Sequence, residues 1–147
     1  MEWNDNSRPA GDTRTMKYIC LGYIDEKKWE AMTESDANAV MDEIFVYDDA
    51  LRKNGHLVGT EALQSARNTT TLHWRNGKVA VTDGPFTETK EQLGGIIVLE
   101  APDIDRAIQL MSDHPCLSMG GCCEIRPAAD LTAIMAESER RRAVNGA

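Results

Sequence analysis

The strongest constraint on the fold is the unbroken apolar run Ile96-Ile97-Val98-Leu99. Because alternate side chains of a strand point to opposite faces, this run would put large apolar side chains on both faces of a sheet. At about 1.5–3 kcal/mol per buried aliphatic side chain, leaving one pair in water would forfeit several kcal/mol, a large share of a domain's stability. Both faces of the sheet must therefore be covered.

Two long amphipathic helices are predicted. Thr33 with Asp36 marks the start of the first helix, and Asn54-Gly55 marks its end. Apolar residues recur between them at spacings of three and four: Ala37, Val40, Met41, Ile44, Tyr47 and Leu51. The second helix opens at Pro102-Asp103, and its stripe is Ile104, Ala107, Ile108 and Met111. Two helices cover only one face, so we expect the other to pack on a second copy of the chain, in a homodimer.

Strand patterns account for most of the remaining chain. Three apolar segments read as strands: Tyr18 to Ile24, Leu57 to Ala66 and Cys122 to Arg126. A hairpin is predicted around Asn76-Gly77, because this dipeptide suits a two-residue turn. That turn pairs Trp74 with Val79 and Leu72 with Val81 on one face, and it leaves His73 on the other.

The segment from Thr82 to Gly95 joins two strands. Asp83 can accept hydrogen bonds from turn amides, Gly84 can adopt backbone angles barred to other residues, and Pro85 fixes its own φ. Thr89 and Gln92 have the spacing of a capping box, and Gly94-Gly95 would end the helical turn that the box begins. We therefore predict an ordered insert with a sharp corner.

Several motifs occur together in a fixed order. They are Met16-Lys17-Tyr18-Ile19-Cys20-Leu21-Gly22-Tyr23, Lys53-Asn54-Gly55-His56-Leu57-Val58-Gly59, Asp83-Gly84-Pro85-Phe86 and Glu124-Ile125-Arg126-Pro127. From Met16 to Pro127 the chain resembles the DGPF branch of the YCII-related proteins. The resemblance implies an α+β fold, a ferredoxin-like antiparallel sheet with helices on one face that dimerises into an α+β barrel. The biochemical role of that family is mostly unassigned.

Three regions are predicted along the 147 residues. Residues 1–15 are polar and lack periodicity, which is typical of a flexible arm. Residues 16–128 form the YCII-related domain, which is long enough to bury a core without disulfides or metal. Residues 129–147 form a C-terminal helix or tail, whose charged run at 137–142 indicates a solvated, fraying end.

Composition excludes several classes of function. The net charge of −8 argues against direct nucleic-acid binding, which needs clustered Lys and Arg. No apolar run approaches membrane-helix length and the N-terminus lacks signal-peptide features, so we expect a cytoplasmic protein without membrane contact. The four cysteines lack paired C-x-x-C spacing and are predicted to be buried, reduced thiols. No metal and no cofactor are predicted.

Asp83 and His114 are the candidate catalytic residues. A proline-stiffened turn would hold Asp83 in one orientation, as a general base or a ligand acceptor requires. The alternative is that Asp83 only satisfies the turn's own amides. The Asp113-His114-Pro115 sequence contains a His-Pro that resembles one often seen in the DGPF family. A helix-capping role at the exit of the second helix would explain His114 without catalysis.

The candidate binding residues are Tyr23, His73, Gly84, Pro85, Phe86 and Glu88. Tyr23 lies near the end of the first strand and could wall a small pocket. His73 would either line a cavity between subunits or face water. Glu88 is a second carboxylate on the Asp83 loop, and its alternative state is exposed and solvated.

The leading hypothesis is a dimer with a small-molecule pocket walled partly by the Asp83 loop, acting as a ligand-binding protein or a lyase/isomerase-like enzyme. Some wider relatives resemble dehydrochlorinating and muconolactone-type enzymes, with a histidine on the first helix facing an acid. The segment Thr33 to Asn54 contains no histidine, so that pair is not carried over.

The other hypothesis is a regulatory interaction protein without catalysis. DGPF relatives often occur with, or fused to, extracytoplasmic-function sigma factors, which implies a transcription-linked partner. A ligand or a deep pocket at Asp83 would favour the ligand-binding hypothesis, and a flat, apolar, unoccupied surface would favour the regulatory one.

Overall fold

The computed structural model describes residues 14–146. The arm predicted for residues 1–15 thus lies, except for Arg14 and Thr15, outside the described residues. The strands are β1 (Met16–Ile24), β2 (Leu57–Ala62), β3 (Thr70–Arg75), β4 (Lys78–Asp83), β5 (Gln92–Ala101) and β6 (Cys122–Pro127). The helices are α1 (Glu26–Glu30), α2 (Glu34–Lys53), α3 (Ile104–Ser112), α4 (Pro115–Ser118) and α5 (Thr132–Asn145).

The main sheet has four antiparallel strands in the order β2-β5-β1-β6. Along the chain its elements run β1, α2, β2, β5, α3, β6, which is the βαββαβ connectivity of a ferredoxin-like fold. The predicted α+β class with an antiparallel sheet is therefore confirmed.

The apolar run of β5 has side chains on both faces, as predicted. Tyr18 lies opposite Leu99 in the register of β1 and β5, and both are buried under α2 and α3 with Leu51 and Leu110. On the other face, the cross-strand pair of Ile19 with Val98 is only half-buried. At the end of the sheet around Tyr18 and Leu99, the two long helices thus cover one face and leave the other more accessible.

Most predicted helix boundaries are confirmed. Thr33 Oγ1 accepts a hydrogen bond from the Asp36 amide at 3.1 Å, and Gly55 ends the first long helix with φ +79°. In α3 the predicted stripe is partly wrong, because Ile104 and Ile108 are exposed. Ala107 and Met111 are buried as predicted, and Arg106 and Leu110 complete the buried face in place of the two isoleucines.

The hairpin has the predicted register, with Trp74 opposite Val79 and His73 opposite Ala80. Asn76 and Gly77 both adopt positive φ, as a primed turn requires. The two strands form a separate two-stranded sheet, and β2 ends at Ala62 rather than Ala66. One hairpin face is apolar and exposed, and Trp74 on it is 74% exposed.

The predicted capping box at Thr89 is wrong. Gln92 is the first residue of β5, and its side-chain amide donates to the Thr89 carbonyl at 2.6 Å. Gly94 and Gly95 are strand residues, and Gly94 is the extra residue of a bulge opposite β1. Pairing with β1 therefore decides the conformation here, and it overrides the local capping pattern.

The C-terminal segment forms the exposed helix α5, in which the charged run at 137–142 is helical. Within residues 14–146, no helix combines the length and apolarity needed to cross a membrane.

Candidate functional site

A cleft of about 720 Å³ lies between α2 and the helix-facing side of the sheet. This volume falls in the range of small-molecule sites. Helix α2 contributes Met41, Ile44 and Asp48 to one wall, and β1 and β5 form the floor. The remaining lining surface is mostly apolar, although Asp49, Arg52 and Glu61 also line the cleft.

Three strand glycines make room for the cleft. Gly22 of β1 lies opposite Gly95 of β5, and the bulged Gly94 follows beside them. A Cβ placed on Gly22 would meet only the Gly95 carbonyl oxygen, at 3.6 Å. The floor lies deep because these glycines have no side chains, whereas Tyr18 and Leu99 fill the corresponding space at the other end of the sheet.

The wall beside Ile24 is completed by Trp29, which α1 positions. The Glu26 carboxylate on α1 accepts hydrogen bonds from the Ala66 amide at 2.7 Å and from the Ser65 hydroxyl at 3.0 Å. These bonds tie α1 to the segment after β2 and so hold Trp29 in place.

A buried acid–histidine pair lies in the cleft wall. Asp48 Oδ1 is 3.1 Å from His114 Nε2, and these residues are 7% and 4% exposed. His114 Nδ1 accepts a hydrogen bond from the Cys116 amide at 3.2 Å, as the N-cap of α4. The Tyr47 ring packs edge-on against the imidazole at 5.2 Å between centroids. The imidazole is therefore fixed on three sides.

The environment of His114 favours its charged form. Burial opposes the imidazolium, but the side chains of Asp48 and Cys116 outweigh burial and raise the pKa of His114 to about 9. Nδ1 accepts the Cys116 amide only while it is unprotonated, so the titrating proton is the one on Nδ1, and its gain breaks this cap bond. In both states Nε2 keeps its proton and donates to Asp48.

The hydrogen bond to His114 uses only one of the two carboxylate oxygens of Asp48. Among residues 14–146, no hydrogen-bond partner is found for Asp48 Oδ2, although Asp48 lines the cleft. A carboxylate held by a histidine inside an apolar cleft can accept a proton from a bound molecule. The geometry thus supplies a base, Asp48, and a residue that positions it, His114.

Three of the four cysteines also line the cleft: Cys20, Cys116 and Cys123. All four are free thiols, as predicted, but Cys122 is exposed, which corrects the prediction that they are all buried. A hydrogen bond from Cys20 and the charge of His114 lower the pKa of Cys123 to about 7. The same pairing, together with burial, raises the pKa of Cys20 far above its usual value.

His114 is the one predicted catalytic residue that lies in the cleft. Its role differs from the predicted capping of the second helix, because it caps the start of α4 and binds Asp48. The residue that caps the C-terminal end of the second helix is Asp113 instead.

The Asp83 loop does not line the cleft. Asp83 is exposed at the end of β4, and within the described residues its side chain makes no hydrogen bond. Gly84 has the predicted positive φ of +94°, and its amide donates to the Thr69 carbonyl at 2.8 Å. Pro85 is half-buried and Glu88 is exposed. A functional role for this loop stays a prediction.

His73 and Phe86 come together away from the cleft, with ring centroids 5.7 Å apart. Tyr23 lies on the opposite face of the sheet from the cleft, next to Glu124. The hydrogen bond to Glu124 raises the pKa of Tyr23. In the structure the predicted binding residues therefore lie in two places: His73 and Phe86 at the hairpin, and Tyr23 on the sheet face opposite the cleft.

Asp48 is the site residue that the sequence prediction missed. It follows Ile44 by four residues and precedes Leu51 by three, so it occupies a position on the apolar stripe of α2. An acid on such a stripe is rarely buried without a partner. The sequence signal for this site residue is therefore an acid at a position where the helical pattern calls for an apolar side chain.

The fold and the cleft define a small α+β protein with an acid–histidine pair in a ligand-sized site. The YCII-related domain matches residues 16–132 of this chain. An uncharacterized protein of Rhizobium meliloti (strain 1021) is 30% identical over 115 residues, which cover 78% of this chain and 93% of that protein. The chain belongs to the YCII-related family, which confirms that part of the resemblance, and its assignment to the DGPF branch stays a prediction.

Proposed function

We propose that this protein binds a small carbonyl compound in the cleft and moves a proton on it, as a lyase or isomerase does. The observation that carries the proposal is the buried pair of Asp48 and His114 in the wall of an apolar cleft. Asp48 is the base that touches the ligand, and His114 is its positioning residue.

The cleft indicates which chemistry it accepts. Its floor and most of its walls are apolar, which suits the carbon skeleton of a small molecule. Arg52 follows Asp48 by one helical turn, lines the cleft and pairs with Asp49 at 2.7 Å. A carboxylate or carbonyl oxygen of the ligand can replace Asp49 as the hydrogen-bond acceptor of the Arg52 guanidinium. The ligand class is therefore a mainly apolar carbonyl compound, with or without a carboxylate.

The proposed step is removal of a proton from the carbon next to the carbonyl. The Asp48 carboxylate takes this proton through Oδ2, and the electron pair moves into the carbonyl to form an enolate. General base catalysis of this kind contributes roughly 10²–10⁴-fold in rate. His114 keeps Oδ1 occupied, so Oδ2 remains directed to the ligand rather than rotating away.

We also propose that the chain belongs to the DGPF branch and forms a homodimer with a barrel-like pairing of sheets. Two apolar surfaces support the dimer: the more accessible sheet face around Val98, and the hairpin face around Trp74. A second copy can cover both in one symmetric contact. Within one chain the Asp83 loop does not reach the cleft, so a contribution of this loop to binding requires the second copy.

A second candidate function is regulatory interaction with a sigma-factor-linked partner, without catalysis. The observation that favours it is the exposed apolar face of the hairpin: Leu72, Trp74, Val79 and Val81. In that case the hairpin, rather than the cleft, would be the functional surface.

A thermal-shift screen of small keto acids, lactones and unsaturated acids tests the first proposal, because a ligand of the native state raises the melting temperature. Compounds that shift the wild type are then titrated calorimetrically into Asp48→Asn and into the matched variant Asp83→Asn. We expect Asp48→Asn to weaken binding and Asp83→Asn to retain it. Equal affinity of wild type and Asp48→Asn would contradict the proposed site.

A further inference from the structure

A smaller cavity of about 300 Å³ lies beside the cleft. Within residues 14–146, the residues that border both spaces are Ile24, Trp29 and Cys116. The other side chains around the smaller cavity do not line the cleft: Asp25, Lys28, Met32, Val40 and Met119. The two spaces are therefore neighbours, and the three shared residues form the partition between them.

Trp29 has the largest side chain of the three, so its indole is the main part of the partition. Ile24 is fixed over the bulge, because a Cβ placed on Gly94 would come within 2.9 Å of its side chain. Cys116 has a short side chain, and its amide donates to His114 Nδ1 at 3.2 Å. Removal of the indole is therefore the change that would join the two spaces.

Helix α1 holds the indole in place from both sides. Glu26 accepts a hydrogen bond from the Ala66 amide at 2.7 Å. Glu30, on the next turn, pairs with Arg67 at 2.7 Å. The Glu30 pair is exposed and contributes little, so the part-buried Glu26 bond is the main anchor. Trp29 is therefore a standing wall of the cleft.

The smaller cavity suits an aliphatic chain. Its apolar walls come from Ile24, Met32, Val40 and Met119. Of its charged residues, Asp25 accepts the Lys27 amide at 3.1 Å as the N-cap of α1, and Lys28 is exposed. Each methylene group that moves from water into such a space tightens binding about fourfold. Access to this cavity would therefore favour longer ligands.

We propose that Trp29 determines the length of the ligand that the cleft accepts, by separating the smaller cavity from the aliphatic end of a carbonyl compound. This inference rests on the proposed function, from which it takes the ligand class and the position of the carbonyl group at Asp48. From there the chain runs over the strand glycines toward Ile24, and the indole stops it. The substrate class is thus a short-chain carbonyl compound.

The test is calorimetric titration with straight-chain methyl ketones, from butanone to 2-decanone, which are neutral probes that differ only in length. For the wild type, affinity should rise about fourfold per methylene group and stop rising once the chain reaches Trp29. In Trp29→Ala this limit should move by about two methylene groups or more. The longest ketones should therefore bind Trp29→Ala roughly tenfold more tightly than the wild type.

Val40→Phe is the matched control, since Val40 lines the smaller cavity and not the cleft. Alone, it should leave the length limit of the wild type unchanged. Added to Trp29→Ala, it refills the joined space and should return the limit to the wild-type length. A general loosening of the fold by Trp29→Ala would not be reversed in this way. Trp29→Leu keeps an apolar side chain at the wall and should move the limit in the same direction, but less.

Three outcomes would overturn the proposal. The first is an unmoved limit in folded Trp29→Ala and Trp29→Leu. The second is a shorter limit in Val40→Phe alone, because the wild-type ligand would then already enter the smaller cavity. The third is the absence of ketone binding to both the wild type and Trp29→Ala.

Exchange of the ketone α-protons in D₂O reports separately on Asp48 as the base. A limit that moves without any exchange would support the role of Trp29 and contradict the proposed proton transfer. Exchange that depends on Asp48, together with an unmoved limit, would do the reverse.

Discussion

Asp48 Oδ1 and His114 Nε2 lie 3.1 Å apart across 66 residues of sequence, and both side chains are nearly removed from solvent. Helix α2 supplies the carboxylate from its apolar stripe, and the N-cap position of α4 supplies the imidazole. A buried pair of this kind destabilises a fold when one partner is lost, because the remaining group has no compensation. Its stability, pH response and chemistry are therefore all measurable.

The first prediction concerns stability. His114→Ala leaves the Asp48 carboxylate buried without its partner and should lower the free energy of unfolding by about 3–5 kcal/mol. The Asp48→Ala and His114→Ala changes should be non-additive, with a coupling of about 0.5–3 kcal/mol in a double-mutant cycle. Denaturant unfolding of the four proteins measures both values. Strictly additive effects would mean that the pair does not interact in solution.

The second prediction is a pH dependence caused by His114. Burial opposes the charge, but the side chains of Asp48 and Cys116 raise the pKa of His114 from 6.5 to about 9. Since the folded pKa lies above the unfolded one, this contribution to stability is complete below pH 6.5 and is lost as pH rises through 9. The loss is on the order of 3 kcal/mol.

Cys123 acts in the opposite sense over the same range. Its pKa is lowered from 9.0 to about 7, mainly by the hydrogen bond from Cys20, so its contribution to stability grows as pH rises toward 9. The comparison is therefore made in a Cys123→Ser background. There, melting temperature should fall by several degrees between pH 6.5 and 9, and adding Asp48→Asn should flatten the curve. Parallel curves for the two proteins would count against the assignment.

Much of the fold could be predicted from sequence, because its signals are local and periodic. The Asn76-Gly77 turn admits one hairpin register, and Thr33 and Gly55 mark the ends of α2. The segment at Thr89 could not be predicted in this way. There a short capping-like pattern competes with strand pairing to β1, and only the tertiary pairing reveals which prevails.

The candidate site was only half predictable. His114 stands out in the sequence beside a proline, but the four-residue helix α4 that it caps is too short to show periodicity. Apolar spacing does not predict Asp48, because that spacing identifies the buried stripe of α2 and carries no information about an acid within it. The cleft itself depends on three glycines from two strands, which meet only after the sheet has formed.

The third prediction fills the cleft. Gly22→Val adds a β-branched side chain that suits a strand, and beyond its chain neighbours its Cβ would meet only the Gly95 carbonyl oxygen, at 3.6 Å. We expect a melting temperature within a few degrees of wild type and loss of binding for any compound found by the thermal-shift screen. Gly59→Val is the matched control, since Gly59 is a strand glycine outside the cleft. Retained binding in Gly22→Val would show that ligands bind elsewhere.

The fourth prediction concerns the homodimer. Trp74 is 74% exposed in a single chain, so Trp74→Glu should not alter folding but should weaken self-association at least tenfold if a second copy covers the hairpin. Val46→Glu on α2 is the control, because Val46 is 70% exposed and lies away from the hairpin. Sedimentation down to low micromolar concentration measures the association. A folded wild-type monomer at low micromolar concentration would contradict the proposed homodimer.

The most direct test of the proposed function is hydrogen exchange at the α-carbon, followed by proton NMR in D₂O with a panel of keto acids and lactones. The wild-type protein should accelerate loss of the α-proton signal of at least one compound. Asp48→Asn should reduce that rate by about 10²–10⁴-fold, while Asp83→Asn should retain it. No acceleration over buffer for any compound, or an undiminished rate in Asp48→Asn, would contradict the assignment of Asp48 as the base.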